Sequence, residues 1–168
     1  MPQTQLYIRQ MTLSDVNLAM NLKDQVGWNQ TPDDIRRLIE YEPDGCFIAG
    51  FDGVPVGTVS TTSYGTKLAW IGMMLVLPEY RRRGIASQLI QKSIDYLCER
   101  GVTCVKLDAT PIGQPLYEQL GFHAEWGFQR WEREGENVPT FSLDGDLSAQ
   151  LVTMDEVAFG ADRSCWLI

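Results

Sequence analysis

Several things are missing from this sequence, and each absence narrows the reading. No apolar run approaches the roughly 20 residues that a membrane-spanning helix needs. The opening MPQTQLYIRQ has no basic stretch leading into an apolar one, so it does not read as a secretory leader, and a cytoplasmic location is expected. There is one histidine, and the four cysteines (Cys46, Cys98, Cys104 and Cys165) include no CxxC pair. A zinc site is not expected, nor any other metal, and the thiols read as reduced and buried. Positive charge is also scarce. Lys and Arg total 14 against 22 Asp and Glu, for a net charge of −8. An acidic chain is poorly suited to the phosphate backbone, so neither nucleic acid nor a membrane is expected as a partner, whereas a cationic amine suits such a surface. There is no internal repeat. There is also no G-x-G-x-x-G and no Walker lysine followed by Ser or Thr, which removes the common dinucleotide and P-loop signatures.

At 168 residues, with 44% hydrophobic residues, the chain suits one domain with a real core and a short appendage. LYIRQ (Leu6–Gln10) alternates as a first strand. Thr12 or Ser14 opens a helix in which Leu18, Leu22 and Val26 recur at helical spacing before Gly27. Thr31-Pro32-Asp-Asp opens a second helix with a cap, a proline at the first helical position and acids in the first turn. CFIAGF (Cys46–Phe51), the turn Asp52-Gly53 and VPVGTVSTTS (Val54–Ser63) read as a hairpin. Leu68–Leu77 is a long, almost wholly apolar strand, expected in mid-sheet. After Arg83, the residues Ala86, Leu89, Ile90, Ile94, Leu97 and Cys98 share one helical face, and Gly101 ends that helix. TCVKLD (Thr103–Asp108) is the next strand, which implies a parallel crossover. A helix over about Gln114–Leu120, strand-like aromatic spacing over Phe122–Arg133 and a short helix from Thr153 to Phe159 complete the pattern.

The chemistry gathers where the long strand ends. Arg81 to Ala86 reads R-R-R-G-I-A. A helix that begins near Gly84 presents unpaired N–H groups and the positive end of its dipole. Glycine lets the backbone approach a ligand, and small Ala86 leaves the first turn uncrowded. These features suit a pyrophosphate; the plain alternative is a solvated basic turn.

The order of elements, with two separate motifs, resembles the GCN5-related N-acetyltransferase (GNAT) superfamily. Arg81, Gly84 and Ala86 match Q/R-x-x-G-x-G/A, and Val76-Leu77-Pro78-Glu79-Tyr80 matches the lead-in V-x-P-x-Y. Leu116-Tyr117-Glu118-Gln119-Leu120-Gly121-Phe122 matches L/F-Y-E-x-L-G-F. The resemblance covers about Leu6 to Arg133. It implies an α/β (α+β) fold with a mixed, mostly antiparallel sheet, a parallel strand pair splayed at the cofactor site, and helices on both faces. It implies an acyltransferase that moves acetyl from acetyl-CoA to an amine in a ternary complex. The amides of Arg82, Arg83, Gly84, Ile85 and Ala86, and of Ser87, are then expected to cradle the pyrophosphate, flanked by Arg81 to Arg83. Leu75, Val76 and Leu77 are expected to pair with the pantetheine arm.

Tyr117 is expected to protonate the leaving thiolate; as residues alone, it reads equally as a core aromatic. Where many members carry Asn, this chain has Thr110, with less reach to the cofactor. Trp70, Gly72, Met74 and Val76 of the long strand include no base, so Asp108 leads as proton acceptor. A strand-end cap is an equal reading of Asp108, Glu79, His123 and Glu125 are outsiders, and a water chain is a further alternative. The acceptor is expected to be a small molecule or peptide, walled by Trp28, Tyr64, Trp70, Trp126 and Trp131 if these are not simply core. A homodimer is left open. Residues 1–145 are expected to form the transferase domain. Residues 146–168 are then an extension, or the start of a second region as in two-part bacterial relatives. Two other readings stand beside the enzyme: a non-catalytic acyl-CoA-binding module, and an interaction half-domain.

Overall fold

The computed structural model describes residues 6–129, 131 and 145–164, with side chains left undescribed at 145–148. Five strands form one sheet: β1 (Leu6–Gln10), β2 (Cys46–Phe51), β3 (Val54–Tyr64), β4 (Leu68–Val76) and β5 (Val105–Leu107). They lie in the order β1-β2-β3-β4-β5. The first three pairings are antiparallel and β4–β5 is parallel, so the sheet is mixed as expected. The hairpin turn has the left-handed residues that Asp52-Gly53 supplies, at φ 52° and 80°.

Helices cover both faces. On one lie α1 (Val16–Asp24) and α2 (Pro32–Tyr41). Val16, Ala19 and Leu22 of α1 and Ile35 and Ile39 of α2 pack with Cys46, Ile48, Leu75 and Leu77 of the sheet side. On the other lies α3 (Ile85–Glu99), whose Ile85, Leu89, Ile90 and Leu97 pack with Phe47, Ala49, Val59, Ala69, Ile71 and Val76. The short α4 (Gln114–Gln119) follows β5, and α5 (Gly145–Phe159) closes the described chain. Thr31 caps α2 as its sequence predicts, its hydroxyl accepting from the Asp34 N–H at 3.2 Å. Thr12 rather than Ser14 opens the first helical segment, which begins as a 3-10 turn over Leu13–Asp15.

Several expectations need correction. β5 is shorter than Thr103–Asp108. Residues 122–129 form no strand, and Arg130, Trp131's successor Glu132 and Arg133 of that expectation lie outside the described residues. Period-2 aromatics make a strand only with a partner edge, and here Trp126, Phe128 and Trp131 are exposed. The last helix begins at Gly145, so Thr153 is not its cap but an interior residue whose hydroxyl donates to the Ala149 carbonyl at 3.0 Å. Cys46 is buried, its thiol pushed up to about 12 by burial, but Cys98 and Cys104 are exposed; Cys165 lies outside the described residues.

Two buried carboxylates anchor the helices to the sheet, and no sequence pattern announced either. Glu42, after α2, accepts the Ser63 N–H at 2.9 Å, the Ser63 hydroxyl, and the Tyr96 hydroxyl of α3 at 2.5 Å. Asp15 receives both arms of the Arg9 guanidinium at 2.7 and 2.8 Å and the Thr12 N–H at 2.9 Å, joining β1 to the start of α1. The Arg9 hydrogen bonds hold the Asp15 carboxyl down at about 2. An unfolded aspartate titrates near 3.9. The folded value is the lower one, so this pair stabilises the fold above about pH 4 and loses its effect as pH falls toward 2. Asp15→Asn is expected to cost about 1–2 kcal/mol at neutral pH, a range reduced for the solvent-facing Arg9. In denaturant titrations from pH 7 to pH 2, the gap between variant and wild type should close below pH 4. A gap that does not depend on pH would show that the charge is not what Asp15 contributes.

Candidate functional site: an open strand edge and a helix N-terminus

β4 and β5 are hydrogen-bonded neighbours only from Ala69, Trp70 and Ile71 to Val105, Lys106 and Leu107. Beyond Ile71, β4 runs on to Val76 without β5 beside it. Gly72, Met73 and Met74 are half-buried, between Ile71 and Leu75, which are buried. The middle of this apolar strand is therefore open, where burial at both ends would predict a closed core.

The cause lies in the register with β3. Ser60 faces Gly72 but Thr58 faces Leu75, so β4 carries one extra residue there. Met73 takes it up in the left-handed region, at φ 48°, and Thr58 Oγ1 donates to the Met73 carbonyl at 2.9 Å. Such a bulge bends its strand and increases local twist, which separates β4 from β5. The alternation also resets: Ile71 and Val76 both pack toward α3, while Leu75 and Leu77 pack toward α1 and α2. Past the bulge, the Leu77 N–H donates to the Val56 carbonyl of β3 at 2.9 Å. The neighbouring Val76 carbonyl faces the free side, where it accepts from Arg81 Nε at 3.0 Å.

The chain then makes a 3-10 turn over Pro78–Tyr80 and enters α3 through two left-handed residues, Arg82 at φ 63° and Gly84 at φ 74°. The first bond of α3 runs from the Gln88 N–H to the Gly84 carbonyl at 3.1 Å. The N–H groups of Ile85, Ala86 and Ser87 precede it and have no partner within the helix. Left-handed residues next to these groups form a concave set of donors suited to an anion. A Cβ on Gly84 would meet only Gln88 Nε2, at 4.0 Å, so glycine is needed here for its backbone angle rather than for space.

The three arginines separate. Arg81 is drawn to the Val76 carbonyl. Arg83 lies over the Phe51 ring at 5.0 Å and the Tyr80 ring at 5.3 Å, and its Nη2 donates to the Glu79 carbonyl at 3.3 Å. These contacts tie the loop to the β2–β3 hairpin. Arg82 is exposed, and among the described residues its guanidinium pairs with no carboxylate. Glu79 thus meets the arginines through its backbone, not its carboxylate.

Tyr117 of α4 belongs to the same apolar cluster as Val76 and Met74 of β4. It is 9% exposed, and its ring meets Phe122 edge-on at 6.1 Å. A Cβ on Gly113 would come within 3.0 Å of its Cε2, so Gly113 makes room for the ring. Burial raises the Tyr117 phenol above its ordinary value, so it is protonated at neutral pH as an exposed phenol also is. Thr110 accepts the Gly113 N–H on its hydroxyl at 3.3 Å, and its carbonyl accepts the Gly113 and Gln114 N–H groups at 2.9 Å. Its visible work is closing the turn before α4. Asp108 is exposed just after β5. His123 is exposed, and Glu125 is paired with Lys106 at 2.7 Å.

The five aromatics expected around an acceptor divide. Trp28 packs on the α1–α2 cluster. Tyr64 and Trp70 meet Phe159 of α5. Trp126 lies under Lys106, and Trp131 is exposed. Among the described residues no group of three or more His, Cys, Asp or Glu side chains is placed to hold a metal, and no helix is long and apolar enough to cross a membrane.

The model of the acetyltransferase (GNAT) family matches residues 13–122. The N-acetyltransferase YitH of Bacillus subtilis, itself uncharacterised, is 27% identical over 156 residues, covering 89% of this chain and 54% of that protein. The aminoglycoside N(6′)-acetyltransferase type 1 of Salmonella typhimurium is 28% identical, covering 68% of this chain and 90% of that one. A solved acetyltransferase-like protein of Pyrococcus horikoshii superposes with a TM-score of 0.72 at 26% identity, over 94% of this chain and 58% of the other. The aminoglycoside N-acetyltransferase AAC(6′)-Iy, solved with CoA, shares the fold at a TM-score of 0.65 and 23% identity, over 80% and 99% of the two chains. The chain thus spans little more than half the length of the Bacillus and Pyrococcus relatives.

Proposed function

The chain belongs to the acetyltransferase (GNAT) family, and from that premise we propose that it transfers acetyl from acetyl-CoA directly to an amine while both are bound. The observation that carries this reading is the continuity of the site. A half-open stretch at Gly72–Met74 runs along a free strand edge into left-handed Arg82 and Gly84 and the start of α3. Its chemistry suits a molecule with an amide-bearing arm at one end and a pyrophosphate at the other.

In this reading the N–H groups of residues 82–87 hold the pyrophosphate, and Arg82 supplies the mobile positive charge. Arg81 and Arg83 shape the loop around them. The backbone of Leu75–Leu77 hydrogen-bonds the pantetheine arm as an added strand would. Thr110 stands at the turn the arm passes. The amine nitrogen attacks the thioester carbonyl carbon; the C–N bond forms, the C–S bond breaks, and the acetyl group leaves on nitrogen. The surplus proton on nitrogen passes to Asp108, directly or through water, and Tyr117 gives its proton to the departing sulfur. The aminoglycoside-acetylating relatives support a small-molecule amine as acceptor.

A second reading, an acyl-CoA-binding module, is favoured by one observation: Leu68–Val76 carries no carboxylate or imidazole anywhere on β4. The two readings part in one assay. CoA release is followed with a panel of primary amines, next to a thermal shift with acetyl-CoA. Amine-dependent release is the expected result. Stabilisation without release on any amine supports the binding module, and no stabilisation at all overturns both.

A further inference from the structure

The α1–α2 face of β4 is covered in two places with a gap between them. Leu75 and Leu77 lie under α1 and α2. Trp70 lies against Phe159 of α5, ring centroids 6.4 Å apart and planes tilted by 31°. Tyr64 meets the same Phe159 ring edge-on at 5.2 Å. Between the two covers Gly72 is half-buried, and Met73, also half-buried, packs at the edge of the α1–α2 cluster. A Cβ on Gly72 would meet only Ser60 Oγ, at 3.5 Å, so the floor of the gap is clear.

We propose that α5 forms one lip of the acceptor entrance, and that Phe159, seated on Trp70, selects slender amines with an aromatic or alkyl body. The proposal rests on the acetyl-transfer reading above. The gap opens where β4 leaves β5, which is where a thioester reached through the cleft is presented to the other side of the sheet. Trp70 and Phe159 border it on one side and Met73, at the edge of the α1–α2 cluster, follows Gly72 in the strand; all three are apolar, and such borders reward a flat apolar shaft behind the amine. Two carboxylates near this lip are paired with basic side chains. Asp155 binds both arms of Arg163, at 2.5 and 2.6 Å, and Glu125 binds Lys106, the residue opposite Trp70 in β5.

Phe159 is held firmly enough to act as a wall. The Arg163 guanidinium stacks on its outer side at 4.1 Å, the chain reverses at Gly160 (φ 87°), and Ala161 is buried. The rest of α5 contributes little cover: Met154 and Val157 are 68% and 81% exposed. The helix also lies outside residues 13–122, the stretch that matches the family model.

The test compares two thioether conjugates of CoA, one carrying phenethylamine and one carrying neamine, with CoA itself by calorimetry. In the wild type the phenethylamine conjugate should bind about tenfold tighter than CoA, and the neamine conjugate should gain less. Phe159→Ala should remove most of that gain and leave CoA affinity within about twofold, with Phe159→Leu, which keeps an apolar anchor for α5, falling between. A gain that survives both substitutions, or a larger gain for neamine, overturns the lip. A wild type that binds no CoA overturns the transfer reading, and the lip with it.

Discussion

Gly84→Val should weaken acetyl-CoA binding by on the order of a hundredfold while leaving most of the fold's stability intact. The reasoning separates two costs. A side chain at Gly84 enters open space, its nearest neighbour being Gln88 Nε2 at 4.0 Å, so no packing is lost. The backbone angle is the obstacle: at φ 74° a β-branched residue is strained by roughly 1–2 kcal/mol or more. The loop relieves that strain by rotating, and rotation re-aims the N–H groups that follow. Affinity for an anion held by several such groups falls steeply once they no longer converge. The strain account also predicts an order, because asparagine tolerates the left-handed region better than alanine or valine does. Affinity should therefore decline from Gly through Asn and Ala to Val, read by calorimetry with acetyl-CoA. Equal affinity of the valine variant and the wild type would remove the anion site from this loop.

Tyr117→Phe should lower kcat by about 10²–10³-fold and leave the KM for acetyl-CoA nearly unchanged. The substitution keeps the ring that meets Phe122 and belongs to the α3-side cluster, so the cluster survives. What it removes is one O–H, on a phenol that burial raises further above neutral pH. A thiolate that leaves without a proton is a poorer leaving group, so the loss belongs in the chemical step. A KM that rises with kcat unaltered would instead mark Tyr117 as part of the cofactor's binding surface.

Much of the scaffold was legible because local chemistry settles it. Thr31-Pro32 caps a helix by hydrogen bonding and ring geometry, Asp52-Gly53 supplies two left-handed residues, and an unbroken apolar run belongs in mid-sheet. The helix start at Gly84 was legible too, although its glycine reads from sequence as room for a ligand and the structure requires it for a backbone angle. What could not be read depends on distant partners. The bulge at Met73 exists only against β3, where Thr58 and Ser60 set the mismatch. Three adjacent arginines look alike until Phe51 and Tyr80 claim Arg83 and the Val76 carbonyl claims Arg81. Phe159 gave no signal as a wall, because its meaning comes from Trp70 and Tyr64 across the sheet. The aromatics after Phe122 misled in the opposite direction: their alternation is real, but β5 is three residues long and gives them little to pair with.

The contact between Arg81 and Val76 has a consequence for the protein in a crowded solution. A strand that parts from its neighbour inside a sheet offers unpaired main-chain groups to any passing chain, the same invitation that drives edge-to-edge aggregation. Arg81 places a charged, solvated head on the free carbonyl of that edge. Another polypeptide would have to strip water from the guanidinium and displace it before the first ladder bond could form. The edge can stay open for a small ligand and still be guarded against a strand.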